Sequence, residues 1–130
     1  MPVVIDAAAV AEVLLGSPLS AAVAAQIRET EVFVPASLDI EVLRLVQAAE
    51  DDGRVTSVAA TRAANALAVF PAHRVDVVPL LADTWARRAN LPVDLACYVA
   101  LAARRAIPLV TADTRLAGHT VTACELILLA

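Results

Sequence analysis

The chain has 130 residues and a formal net charge of −4, and 60% of it is apolar although its only aromatic side chains besides histidine are Phe33, Phe70, Trp85 and Tyr98. That length suits one domain with one core, spanning residues 1–130, and so much apolar surface excludes intrinsic disorder. A membrane span is excluded by run length: the longest uncharged stretch, residues 13–27, is interrupted by Gly16, Ser17, Pro18, Ser20 and Gln26, short of the roughly 20 apolar residues required.

Val3–Ile5 is a short apolar run that ends at Asp6, the pattern of a buried strand. A helix follows as far as Leu15 and stops at Gly16-Ser17-Pro18. Ser17 is placed to cap a second helix over residues 18–28, since proline is tolerated in a first turn. Residues 32–34, bounded by Pro35, read as a second strand. Leu38, Val42, Leu45 and Ala49 then recur at helical spacing up to the polar turn Glu50-Asp51-Asp52-Gly53. Thr56 or Ser57 caps an alanine-rich helix expected to reach Phe70, where Pro71 ends it. In the second half, residues 75–78 predict a strand, 80–88 and 93–105 two helices, 107–111 a strand, 113–117 one helical turn and 121–129 a last strand. Short strands separated by helices imply a mainly parallel sheet covered on both faces, an α/β sandwich.

All ten basic residues are arginine, and with fourteen acids against them no broad cationic surface is available, so any nucleic acid would be bound locally. The N-terminus, Met-Pro-Val-Val-Ile-Asp, has no basic region ahead of an apolar run, so no signal peptide is expected and the expected location is cytoplasmic. Cys97 and Cys124 form no CxxC pair and read as small buried apolar residues. Neither GxGxxG nor GxxxxGK[ST] occurs. His73 and His119 lie beside expected strands with no serine or cysteine motif nearby, which leaves hydrolytic triads unsupported. Trp85, at helical spacing with Leu81 and Arg88, reads as a core or subunit contact.

Carboxylates in unusual places remain. Asp6 and Asp113 each follow a strand, where a residue either caps the next turn or faces the crevice at the carboxyl edge of a parallel sheet. Asp94 shares a helical stripe with Cys97, Tyr98 and Leu101, which turns it toward the core, where a carboxylate must be hydrogen-bonded, protonated or holding a cation. The alternative is an exposed first-turn acid favoured by the helix dipole. Glu41 sits at the edge of the Leu38/Val42/Leu45 stripe; its alternative is a half-exposed ion pair with Arg44. Several such acids without histidine or cysteine make an all-oxygen donor set, suited to Mg²⁺ or Mn²⁺. An ion so held activates water and stabilises charge on a phosphoryl oxygen, so phosphodiester hydrolysis is the natural reaction class.

With these residues in place the chain resembles PIN-domain ribonucleases, specifically the VapC-type toxins of bacterial type II toxin–antitoxin pairs. The resemblance is carried by Val3-Val4-Ile5-Asp6-Ala7, by Leu38-Asp39-Ile40-Glu41-Val42-Leu43, by the stretch from Asp94 through Ala102, and by Leu109-Val110-Thr111-Ala112-Asp113-Thr114-Arg115-Leu116-Ala117. It implies a three-layer PIN-like sandwich and a Mg²⁺-dependent endoribonuclease (Mn²⁺ as the other candidate ion), restrained by a cognate VapB-like antitoxin and commonly a homodimer. Asp6, Glu41, Asp94 and Asp113 fall on the family's acidic quartet, with Asp6 and Asp94 the first choices as metal ligands. Thr111 matches a hydroxyl position near the metal or is simply a strand threonine. Arg115 and Arg44, the arginines nearest the quartet in sequence, are candidates for phosphate contact, or for ion pairs with neighbouring acids.

Two features depart from the family pattern. Ala8 stands where a serine, threonine or asparagine is usual, and the segment Asn90-Leu91-Pro92-Val93-Asp94 is one residue short. They motivate a rival reading, a degenerate PIN-like binding module with little catalysis that acts through its antitoxin. A phosphatase with Asp6 as nucleophile is disfavoured, because Asp6-Ala7-Ala8 offers no second acid two residues on.

Overall fold

The strand β1 (Val3–Ile5) is buried along its whole length, because an apolar tripeptide flanked by strands on both sides and helices on both faces has no route to water. The computed structural model describes residues 1–116 and 123–129. The other strands are β2 (Val32–Pro35), β3 (His73–Val75), β4 (Leu109–Thr111) and β5 (Leu126–Leu128). All pair in parallel, in the order β3-β2-β1-β4-β5. Val4 sits opposite both Phe33 and Leu109, and Ile5 opposite Val110, so the chain reverses direction of build-up across β1. In open parallel sheets that switch point opens a crevice at the carboxyl edge.

Helices α1 (Ala7–Leu15), α2 (Ser20–Ile27), α3 (Leu38–Asp51) and α4 (Ser57–Leu67) pack together on one face, and α5 (Leu81–Ala86) and α6 (Val93–Arg105) on the other. This is the three-layer α/β sandwich expected from the alternating pattern. Among the described residues no single helix is long and apolar enough to cross a membrane; α1 and α2 are apolar but meet at a bend of 116°.

The elements that differ from expectation do so for local reasons. Helix α2 starts at Ser20, not Pro18: residues 18 and 19 form a turn in which the Ser17 hydroxyl accepts the Leu19 N–H at 3.2 Å and donates to Glu12, and the Ser20 N–H bonds to the Ser17 carbonyl at 3.0 Å. Of the two cap candidates it is Thr56 whose hydroxyl accepts a hydrogen bond, from the Ala59 N–H at 3.1 Å, and α4 ends at Leu67 rather than Phe70. The third strand lies at His73–Val75, two residues earlier than its apolar run. It is an edge strand whose first two side chains are exposed, and its register is dictated by β2, with Pro35 opposite Val75. Its carboxyl end turns into a 3₁₀ segment, Val78–Leu80, when Asp76 accepts from the Val78 N–H at 3.0 Å. Trp85 is not core: it is 60% exposed, with the Arg88 guanidinium 4.3 Å from its ring centre. Cys97 is buried but Cys124 only half so, and both are free thiols. His119 and the start of the expected last strand lie outside the described residues.

One contact fixes the helix that carries Glu41. Arg74 on β3 makes a two-pronged pair with Asp39 in the first turn of α3, both bonds 2.9 Å, and donates to the carbonyls of Leu67, the last residue of α4, at 3.1 Å and of Phe70 just beyond it at 2.9 Å. Replacing Arg74 with methionine keeps the stem but leaves those carbonyls without their charged donor. Arg74→Met is expected to lower stability by about 1–2 kcal/mol in urea denaturation.

Candidate active site

Asp6 follows β1 and stands in extended backbone (φ −90°, ψ 172°) as the N-cap of α1, its Oδ1 accepting the Ala9 N–H at 2.9 Å. Its second oxygen, Oδ2, accepts the hydroxyl of Thr111, the last residue of the neighbouring strand. The Thr111 oxygen in turn accepts the Asp113 N–H at 3.1 Å, which leaves the hydroxyl proton for Asp6. Cap and site ligand were alternatives for Asp6 in the sequence; the geometry makes it a cap whose carboxylate also borders a pocket.

Three further segments bring acids to the same place. Glu41 comes from the first turn of α3, Asp94 from the first turn of α6, and Asp113 from the residues just after β4. With Asp6 they line one pocket of about 50 Å³, walled by Ala8, Leu45, Leu95 and Tyr98 and including Arg44 and Arg115. That volume takes an ion and a few waters, not a nucleotide. Thr111 lies beneath the pocket rather than in its wall, acting through Asp6. Asp94 is less buried than its stripe suggests: its side chain is 32% exposed, and it reaches outward to Arg115. Glu41 is half-buried, but its partner is the Tyr98 hydroxyl, which donates to Oε2, and not Arg44. Tyr98, which the apolar stripe assigns to the core, is a site residue by its hydroxyl; it stands one turn after Asp94, the spacing that puts two side chains on one helix face.

Burial sets the charge balance. Asp6 is 1% exposed, and desolvation pushes its pKa up to about 6 against the opposing hydrogen bonds from Thr111 and Ala9, with the nearby Asp113 charge adding to the rise. Glu41 is also raised, by burial first, although Tyr98 opposes the rise; the Asp94 charge adds to it. Burial acts the same way on Asp113, but hydrogen bonds from Arg115 outweigh it and hold this carboxyl below its ordinary value. The pocket therefore carries negative charge that its own hydrogen bonds only partly offset, the setting in which a cation binds. The donor set, all carboxylate oxygen, fits a hard divalent ion. As the side chains stand, no three acids among the described residues converge on one point, since Arg115 links Asp94 to Asp113.

A parallel sheet with its switch point beside four gathered carboxylates defines an α/β domain of the acidic-pocket kind. The chain belongs to the PIN-domain family, whose profile matches residues 3–120. Relatives in Mycobacterium tuberculosis (strain ATCC 25618 / H37Rv) include ribonuclease VapC12, 34% identical over 127 residues with 90% of this chain and 93% of that protein covered. Ribonuclease VapC1 is 35% identical over 125 residues, covering 95% and 94%. Ribonuclease VapC3 is 35% identical over 116 residues, covering 88% and 85%. Among solved structures, VapBC-5 of Mycobacterium tuberculosis, a member of the VapBC family of toxin–antitoxin systems, has the same fold, with a TM-score of 0.62 at 24% identity over 98% of both chains.

The buried Asp6 charge has a measurable cost. The folded state holds the Asp6 proton up to about pH 6, while an unfolded aspartate releases it near 3.8, so this group's contribution to stability falls as pH rises through that window, by about 3 kcal/mol. Asp6→Asn removes the charge and keeps the cap to Ala9, with Nδ2 now donating to the Thr111 oxygen in place of the bond that Oδ2 accepted. In EDTA at pH 8 the variant is expected to be more stable than wild type by about 1–3 kcal/mol in urea denaturation, and the difference is expected to shrink below pH 4.

Proposed function

We propose that this chain is a divalent-metal-dependent endoribonuclease, the toxin of a type II toxin–antitoxin pair, acting as a single domain in the cytosol. The observation that carries the proposal is the convergence of Asp6, Glu41, Asp94 and Asp113, from four separate segments, on one pocket at the carboxyl edge of the sheet. The ribonuclease names of the VapC relatives supply the substrate class.

In this reading Asp6 and Asp94 hold Mg²⁺ (or Mn²⁺), with Glu41 and Asp113 completing the set directly or through water. The bound ion supplies an activated water and charge stabilisation at the scissile phosphate. Thr111 and the Ala9 N–H fix the Asp6 carboxylate in orientation, so it does not have to be ordered when an ion arrives. Tyr98 engages Glu41 Oε2 and leaves Oε1 to orient a water or accept its proton. Arg44, exposed at the pocket rim, is the cation positioned for phosphate, whereas Arg115 is engaged with Asp94 and Asp113. A VapB-like antitoxin restrains the toxin by covering this pocket, and the working form is a homodimer.

A second reading, a PIN-like binding module with little catalysis, is favoured by Ala8, which lines the pocket with a methyl group where the family usually has an oxygen or amide. Cleavage separates the two. Wild type incubated with RNA and Mg²⁺ is expected to cut it, EDTA to stop cutting, and added Mg²⁺ to restore it. Asp94→Asn is expected to reduce cleavage at least about a hundredfold with an unchanged circular dichroism spectrum. Equal RNA end maps for wild type and Asp94→Asn would refute the enzyme reading in favour of the binding module.

A further inference from the structure

Arg115 does not sit at the rim of the pocket facing solvent. One nitrogen, Nη2, lies 2.8 Å from Asp94 Oδ2 and 2.7 Å from Asp113 Oδ2, so a single N–H₂ group bridges two carboxylates from different elements. Nε adds bonds of 3.0 and 3.2 Å to the two oxygens of Asp113, and the Arg115 backbone N–H caps Asp113 Oδ1 at 2.9 Å. Arg115 is thus tethered to Asp113 by a local turn and to Asp94 only by its far nitrogen. The Asp94 bond is also the accessible one: its partners are 48% and 32% exposed, against 14% for Asp113. Exposed pairs of this kind are weak and readily exchanged.

We infer that Arg115 and a divalent cation are mutually exclusive occupants of the Asp94–Asp113 pair, so that Arg115 acts as an internal cation that sets how tightly the pocket takes metal. The inference rests on the metal-dependent reading above. A Mg²⁺ ion must come within about 2.1 Å of a ligand oxygen, and Mn²⁺ needs comparably close approach. An ion that close to the Oδ2 atoms bridged by Nη2 lies within a few ångströms of the guanidinium, where two cations repel strongly. Exchange requires that the exposed Asp94 contact break and the guanidinium swing off Asp113, after which Arg115 stays beside the pocket through its backbone N–H bond to Asp113 Oδ1. The arrangement keeps two of the four acids neutralised without a metal, and it makes metal occupancy compete with a group belonging to the same chain.

The test is calorimetric titration of Mn²⁺ into wild type, Arg115→Gln and Arg44→Gln, each as the full chain with its fold checked by circular dichroism. Arg115→Gln is expected to bind Mn²⁺ about three- to tenfold more tightly than wild type, the weakness of exposed ion pairs setting the upper limit. Arg44 lines the same pocket with no hydrogen bond to an acid, so Arg44→Gln removes one positive charge without freeing a ligand and is expected to change affinity less than about twofold. Unchanged or weaker binding by Arg115→Gln overturns the exchange while leaving the metal site standing. An equal gain in both variants overturns it as well, since the effect is then one of general charge. No Mn²⁺ binding by any of the three proteins overturns the metal-dependent reading itself, and the exchange with it.

Discussion

A carboxylate buried at the end of the central strand is the constraint around which this molecule is arranged. Asp6 is held by one backbone N–H and one threonine hydroxyl, and burial still raises its pKa. The buried charge costs stability that a neutral cap at the same position would not. What keeps it in register is the sheet: β1 and β4 pair so that Thr111 stands beside Asp6, and the short apolar strands leave no slack for that pairing to slip. Among the described residues Asp6, Thr84 and Thr111 are the buried polar side chains, and two of the three are bonded to each other.

Around that fixed carboxylate the remaining acids differ in how their charge is met. Glu41 is backed by a tyrosine hydroxyl, a neutral donor; Asp94 and Asp113 share an arginine. The pocket is thereby divided into a half without a positive partner in contact, Asp6 and Glu41, and a half bridged by an internal cation. That division bears on how an acidic chain handles RNA. Its net charge of −4 disfavours broad attraction to phosphate, so in the proposed reading recognition depends on the ion and on the two pocket arginines, and one of these is engaged with the ligands themselves.

Much of this was legible in the residue order. Strand-ending aspartates after Val3–Ile5 and after Leu109–Thr111 are visible because parallel strands read as continuous apolar runs with polar residues at their ends. Helix α6 agrees with its sequence pattern at both ends, since Pro92 opens it and its apolar stripe is long, and β1 and the end of α1 agree likewise. Edge strand β3 lies two residues ahead of its apolar run because an edge strand needs little apolar character and its register is set by its neighbour. Helix α2 begins two residues after Pro18 because residues 18 and 19 form a turn closed by the Ser20 N–H on the Ser17 carbonyl at 3.0 Å, a geometry the residue types do not distinguish from a first helical turn.

The sequence by itself determined the fold class, the four carboxylates and their lack of histidine or cysteine company, because apolar periodicity and residue chemistry are local properties. Only the tertiary structure decided what each charge faces. Glu41 bonds to Tyr98, 57 residues away, rather than to Arg44 one turn along its own helix. Asp94 reaches 21 residues on to Arg115 instead of turning into the core. Thr111 serves Asp6 across 105 residues. The reason is physical: the partner of a polar group is fixed by which backbone segments the sheet brings within about 3 Å of it, and separation along the chain carries no record of that distance.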